Sequence, residues 1–109
     1  MVTTPNHNFA INSWYHIAFV FDAGIIRAYF DGVEVYNQPV PVATIANGSQ
    51  PLRIGDWYNY ALSSYKTMGG EMDEFRIWKG AALSESEIRD HMCQKDLSSH
   101  PQLANLAAY

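Results

Sequence analysis

Residues 14–22 read WYHIAFVFD and residues 25–36 read IIRAYFDGVEVY, and these two stretches decide the fold. The first is rich in aromatic and β-branched residues, which favour strands. Strict alternation places Tyr15, Ile17, Phe19 and Phe21 on one face and Trp14, His16, Ala18 and Val20 on the other. Because both faces are largely apolar, the stretch is predicted to be a central strand covered on both sides.

The second stretch contains a two-residue turn between two apolar runs. Asp31-Gly32 is typical of a type I′ turn, which joins two antiparallel strands. Residues 25–31 and 33–36 are therefore predicted to form a hairpin. Its core face would carry Ile26, Ala28 and Phe30, and its more solvated face Arg27 and Tyr29.

Two further strands are predicted, at residues 52–56 (LRIGD) and 71–78 (EMDEFRIW). Between residues 37 and 51 three prolines exclude a central strand and permit an edge ribbon. Residues 57–70 are interpreted as a polar-aromatic loop, with a short strand inside it as the alternative, and residues 103–109 as a mildly apolar tail.

One helix is predicted after Leu83. Ser84 can act as its N-cap with Glu87 at N3, and Leu83 and Ile88 match the hydrophobic staple that accompanies such a cap. Cys93 is interpreted as a buried apolar residue on this helix. As the sequence has one cysteine, an intrachain disulfide is excluded.

These elements predict an all-β antiparallel sandwich with one short C-terminal helix. Its 109 residues suit a single domain. The predicted core consists of Trp14, Ile17, Phe19, Phe21, Ile26, Phe30, Ile54, Phe75, Ile77 and Trp78.

The net charge of the chain limits which partners are expected. The formal net charge is −4, and the seven Lys and Arg residues form no basic patch, so nucleic acid and membrane surfaces are not expected partners. Residues 1–5 show neither a basic nor an apolar signal-peptide region.

Taken together, these stretches resemble the second half of a laminin-G-like domain, a jelly roll of the concanavalin A-like lectin and glucanase superfamily to which pentraxins are related. The resemblance covers residues 14–88 and implies a non-catalytic module that binds carbohydrate or protein outside the cell or at its surface. The matching positions are Trp14, His16, Tyr29, Asp31, Gly32, Ile54, Gly55, Gly70, Asp73, Leu83, Ser84, Glu87 and Ile88.

Domains of that family are longer and carry several strands before the tryptophan-led one, whereas thirteen residues precede Trp14 here. We therefore expect an uncovered apolar face, and the chain to be a fragment, a truncated variant, or a subunit that completes its sandwich from a partner. Pairing with a second copy would cover it, which makes a homodimer the alternative function: a self-associating structural protein.

A hydrolase is the third alternative, because laminarinase-type relatives carry Glu-x-Asp-x-(x)-Glu on one strand. Here Glu71 and Asp73 share a face, but Phe75 or Arg76 occupies the third position. Glu74 points to the opposite face. Since glycoside hydrolysis needs a matched pair of carboxyl groups, no catalytic residues are assigned.

No cofactor is predicted, and calcium at Asp56 is the alternative suggested by the pentraxin resemblance. Calcium prefers six to eight oxygen ligands, several of them anionic. After Asp56 the sequence has no further carboxylate until Glu71, and Asn59 offers one amide oxygen. The histidines lack zinc-ligand spacing; they are His7, His16, His91 and His100.

The candidate binding surface is the polar-aromatic loop. Aromatic faces beside amides and hydroxyls suit sugar rings, although aromatic residues also pack over sandwich edges. The candidate ligand-binding residues are Trp57, Tyr58, Asn59, Tyr60 and Tyr65.

Overall fold

Strands make up most of the regular structure in the computed structural model, which describes residues 8–59 and 61–109. All strand pairs in this part of the chain are antiparallel, and one short α-helix accompanies them, so the predicted fold class is confirmed. The elements are β1 (Ile17–Asp22), β2 (Ile25–Phe30), β3 (Val33–Pro39), β4 (Asp56–Asn59), β5 (Ser64–Thr67), β6 (Ile77–Trp78), α1 (Glu85–His91), a 3₁₀ turn (Leu103–Asn105) and β7 (Leu106–Ala108).

The first three strands form one sheet in the order β1-β2-β3, as the hairpin prediction requires. Asp31 and Gly32 both have positive φ, 51° and 76°, as a type I′ turn demands. The Asp31 carboxylate also accepts a hydrogen bond from the His16 backbone N–H at 2.8 Å. The backbone N–H of Asp31 donates to the His16 carbonyl at 2.9 Å. The turn residue therefore ties the β2–β3 hairpin to the start of β1.

The predicted core face of this sheet is wrong in part. Val20 and Tyr29 are buried with Ile88 of α1, and Ala18 packs against them. The face assigned to the core leaves Phe19 67% and Ile17 47% exposed. The helix covers the opposite face of the sheet, so Tyr29, which was predicted to be more solvated, is buried. Ala28 on the predicted core face is buried as well.

Other members of the predicted core divide into three groups. Phe30 is buried, and its ring lies 5.2 Å from that of Phe9. The half-buried members are Phe21, Ile26, Ile77 and Trp78. The members that are exposed, contrary to the prediction, include Trp14, Ile54 and Phe75.

Helix α1 begins as predicted. The Ser84 Oγ accepts a hydrogen bond from the Glu87 N–H at 3.2 Å, and the Glu87 carboxylate accepts one from the Ser84 N–H at 3.4 Å. Leu83 packs against the cluster that contains Ile88, as the staple predicts. The capping box therefore specifies both where the helix starts and which face it buries.

The helix ends earlier than expected. Its last residue is His91 and its C-cap is Met92, so Cys93 lies beyond it and is exposed rather than buried. The Arg76 guanidinium donates to the carbonyls of His91 and Gln94. These side-chain bonds satisfy carbonyl groups that a longer helix would have used itself.

The two other predicted strands are largely wrong. Residues 52–55 carry no strand, and β4 starts at Asp56, the last residue of the predicted strand, and continues into the predicted loop. Of residues 71–78, the strand comprises Ile77–Trp78, whose partner is β7 from the predicted tail. Alternation alone does not make a strand, because a strand also needs a backbone partner within reach.

Candidate functional site

Most of the candidate binding residues lie on one hairpin, β4–β5. The register pairs Trp57 with Lys66 and Tyr58 with Tyr65. Asn59 pairs with Ser64 at the end of the ladder. Tyr60 lies outside the described residues. The aromatic residues that the sequence grouped in a loop are therefore carried by a two-stranded ribbon.

The ribbon separates the candidates onto two faces, because neighbouring residues of a strand point in opposite directions. Tyr58 and Tyr65 meet edge to face, with ring centroids 5.1 Å apart. Arg53 covers Tyr65, its guanidinium carbon 4.9 Å from the ring centroid. This face is therefore an internally packed aromatic cluster.

Trp57 lies on the other face and is 57% exposed. Beside it is a shallow pocket of about 350 Å³. Its other lining residues are Gly55, Asp56, Lys66, Thr67, Met68 and Met72. This pocket joins an indole face, an ammonium group, a hydroxyl and two thioethers.

Sequence reasoning did not identify Lys66, Met68 or Met72 as part of this surface. Lys66 reaches it because the hairpin register places Lys66 across from Trp57. Met72 reaches it from a stretch that was expected to be a strand elsewhere in the sandwich. A β4–β5 hairpin predicted from the alternation of residues 64–67 would have revealed Lys66.

Asn59 is less available than expected. Its side-chain oxygen accepts a hydrogen bond from the Leu62 N–H at 3.2 Å, and its backbone carbonyl accepts from the same group. The amide therefore shapes the turn between β4 and β5, and its Oδ1 is engaged there.

Asp56, the residue considered for calcium, is ion-paired in the structure. One carboxylate oxygen accepts a hydrogen bond from Arg53 at 2.8 Å. The other, Oδ1, is buried and has no hydrogen-bond partner among the described residues. Among the described residues, no group of three or more His, Cys, Asp or Glu side chains is placed to hold a metal ion. Because calcium prefers several anionic ligands, Arg53 would compete with it for this carboxylate.

The carboxylates considered for catalysis lie in the irregular stretch before β6. Glu71 and Asp73 are exposed, and Asp73 accepts a hydrogen bond from the Glu74 N–H at 2.9 Å. Glu74 accepts hydrogen bonds from the Tyr109 hydroxyl at 2.8 Å and from Arg76 at 3.1 Å. The Tyr109 hydrogen bond above all, and Arg76 after it, lower the pKa of Glu74, the opposite of what a general acid needs.

A second polar cluster, which the sequence did not predict, surrounds Arg76. Its side chain is 10% exposed and contacts Glu74, His91 and Gln94. The Tyr109 hydroxyl also lies 2.8 Å from the Lys95 carbonyl oxygen, so its single proton is shared between this oxygen and Glu74. This network joins the stretch before β6, the end of α1 and the end of the chain. A pocket of about 440 Å³ borders the network at Glu74 and Tyr109. Its other lining residues are Leu52, Ile54, Asp73, Phe75, Ile77 and Ala108.

None of the described helices is long and apolar enough to cross a bilayer.

A family model described as the concanavalin A-like lectin/glucanases superfamily matches residues 2–89. This stretch is longer than the one covered by the motifs that suggested the resemblance. No curated protein and no solved structure is significantly similar to the chain.

Proposed function

The chain belongs to the concanavalin A-like lectin/glucanases superfamily, and from that premise we propose that it is a non-catalytic binding module whose ligand is a carbohydrate. The proposed site is the Trp57 surface, defined as Trp57, Lys66 and the pocket beside them. A protein ligand at the same surface is the competing form of this proposal.

The exposed indole of Trp57 is the observation that carries the proposal. A large aromatic side chain on the solvent side of a ribbon can stack on the apolar CH face of a sugar ring. Lys66 lies across the ribbon from Trp57 and provides an ammonium donor for sugar hydroxyls. On the reverse face, Tyr58, Tyr65 and Arg53 brace the ribbon.

The non-catalytic part of the proposal is supported by the carboxylates. Glycosidases place two carboxyl groups at about 5–5.5 Å or at about 6.5–9.5 Å on the two sides of the bond they cleave. Glu74 is occupied by Arg76 and Tyr109, and Glu71 and Asp73 are exposed outside any strand. We therefore expect no hydrolysis of β-glucans, either by the unchanged protein or by Glu71→Gln. Hydrolysis by the unchanged protein that is lost in Glu71→Gln would overturn the assignment.

A glycan array followed by NMR titration of the best glycan tests the site. Trp57→Ala should abolish binding with little change in melting temperature. Trp14→Ala is the matched control, since Trp14 is also exposed but lies before β1. Equal losses in both variants, or a large fall in melting temperature in Trp57→Ala, would reject the Trp57 surface. An array without hits would reject the carbohydrate ligand.

A second candidate function, self-association, is favoured by the open sheet face, defined as Ile17, Phe19, Phe21, Ile26 and Val33. Phe19 and Val33 are more than half exposed, and the face contains no charged side chain. Apolar faces of this kind resemble obligate homodimer interfaces, and twofold symmetry is the commonest arrangement. We propose a second copy as the occupant.

Sedimentation at micromolar concentration tests this second candidate. A dimer should be seen, and Phe19→Asp should convert it to a monomer. Ile45→Asp, which changes an exposed apolar residue outside the regular elements, should leave the dimer intact. A monomer at every concentration would reject self-association without affecting the carbohydrate proposal.

A further inference from the structure

The C-terminal segment, defined as residues 97–109, is seated through a histidine. His100 is 5% exposed, and its ring stacks on Trp78 with centroids 4.4 Å apart and an interplanar angle of 28°. The ring of His91 lies 4.4 Å away on α1. His100 therefore joins the segment to both β6 and the end of the helix.

The hydrogen bonding requires this histidine to be neutral. The Gln102 backbone N–H donates to His100 Nδ1 at 3.0 Å, so Nδ1 acts as an acceptor and carries no proton. A protonated imidazole has no acceptor nitrogen. Protonation would therefore break this bond and leave the Gln102 N–H facing a donor.

The surroundings of His100 disfavour a positive charge. His91 faces it from α1 and Arg76 from the stretch before β6, while Glu87 of α1 is the opposing anion. Burial first, and His91 and Arg76 with it, lower the pKa of His100, although Glu87 acts in the other direction. The surroundings of His100 therefore favour the uncharged form of its ring.

The rest of the segment is held by a short ladder, one buried side chain and a few polar contacts. The β6–β7 ladder has two pairs, Ile77 with Ala108 and Trp78 with Leu106. Leu97, at the start of the segment, is buried. The polar contacts are the Lys79 N–H to Asn105 carbonyl bond at 2.8 Å, the Gln94 to Ser99 side-chain bond at 3.0 Å, and the contacts of Tyr109 with Glu74, Arg76 and Lys95. Opening a ladder of two pairs costs less free energy than opening a full sheet.

We propose that protonation of His100 releases the C-terminal segment from Trp78 and His91, so that mild acid opens this side of the molecule while the β1-β2-β3 sheet stays folded. The neutral ring of His100 is a latch in the sense that it holds the segment closed. The opened state is the form in which the ring binds a proton. The device does not depend on the identity of the ligand at the Trp57 surface.

Hydrogen–deuterium exchange of the full chain between about pH 7.5 and about pH 5 tests the latch, with rates corrected for intrinsic exchange. Below the pKa of the ring in the opened segment, about 6.5, opening takes up one proton. The protection of residues 97–109 should therefore fall about tenfold for each pH unit below that value, as long as the closed segment stays unprotonated. Protection of β1 and β2 should stay high. Unchanged protection of the segment, or simultaneous loss of protection throughout the chain, would overturn the proposal.

His100→Phe is the key variant, because it keeps an aromatic ring on Trp78 and cannot be protonated. Protection of its segment should not depend on pH in this range. Acid sensitivity that persists in this variant would assign the effect to another group and overturn the latch. NMR titration of the His100 ring in the unchanged chain gives a second measurement if the variant does not fold. Its midpoint should coincide with segment opening, and a mismatch would reject the coupling.

Discussion

Gly32 lies directly against Arg89: a Cβ built on this glycine would be 3.0 Å from the Arg89 Cβ and 3.1 Å from its Cα. Gly32 is the second residue of the β2–β3 turn and has a φ of 76°. The turn therefore requires a residue without a side chain for two reasons. One is the left-handed backbone, and the other is the close approach of α1.

Gly32→Ala should consequently destabilise the fold by roughly 1–3 kcal/mol, because it combines backbone strain with displacement of the helix. Urea unfolding monitored by circular dichroism measures this loss. Gly69→Ala is the matched control, since no atom lies within 4 Å of the position its Cβ would take. Equal stability of the two variants would contradict the packing of α1 on the hairpin turn.

Two phenylalanines on the same sheet face should respond differently to truncation. Phe30 is 7% exposed, so Phe30→Ala should cost about 3–5 kcal/mol. Phe19 is far more exposed, and Phe19→Ala should cost less than about 1 kcal/mol in the monomer. Chemical denaturation at low protein concentration compares them. A similar large loss in both would show that this face is covered in the monomer.

The helix cap should contribute measurably to stability. Ser84→Ala removes the acceptor of the Glu87 N–H and should destabilise the protein by about 0.5–2 kcal/mol. Ser49→Ala, in an exposed loop, is the matched control. If thermal unfolding gave the same midpoint for the variant and the unchanged protein, the capping box would have no energetic role.

The contrast between these residues explains which features could be predicted from the sequence. The Asp31-Gly32 turn and the Ser84–Glu87 cap are local, because each depends on side chains at most three residues apart. The burial of Tyr29 instead of Phe19 depends on which sheet face receives α1, and alternation is the same in both arrangements.

The same reasoning applies to the candidate site. Aromatic enrichment in residues 57–65 indicated Trp57, but its pairing with Lys66 depends on the β4–β5 register. The Arg76 contacts with His91 and Gln94 span 15 and 18 residues of sequence. Such contacts follow from the assembled fold, and nothing in the local pattern EFRIW indicates them.

The last prediction concerns acid stability and His16, at the start of the sheet. Burial lowers the pKa of His16, and the Arg76 guanidinium lowers it further, whereas Asp31 opposes them. A histidine whose pKa is lower in the folded state binds fewer protons there than in the unfolded chain. Stability is therefore complete above the unfolded pKa of about 6.5. It falls as the pH drops below that value and levels off once the folded form is protonated as well.

Urea unfolding at a series of pH values measures this dependence. The free energy of unfolding should be nearly constant between about pH 7.5 and about pH 8.5 and should decline toward about pH 5. His16→Gln should flatten part of the decline, because its amide cannot titrate, while His100→Phe should remove a separate part. Because both rings face Arg76, the double variant tests whether the contributions add or are coupled. A stability that rises on acidification, or a decline that neither variant alters, would contradict the assignment of neutral histidines to the fold.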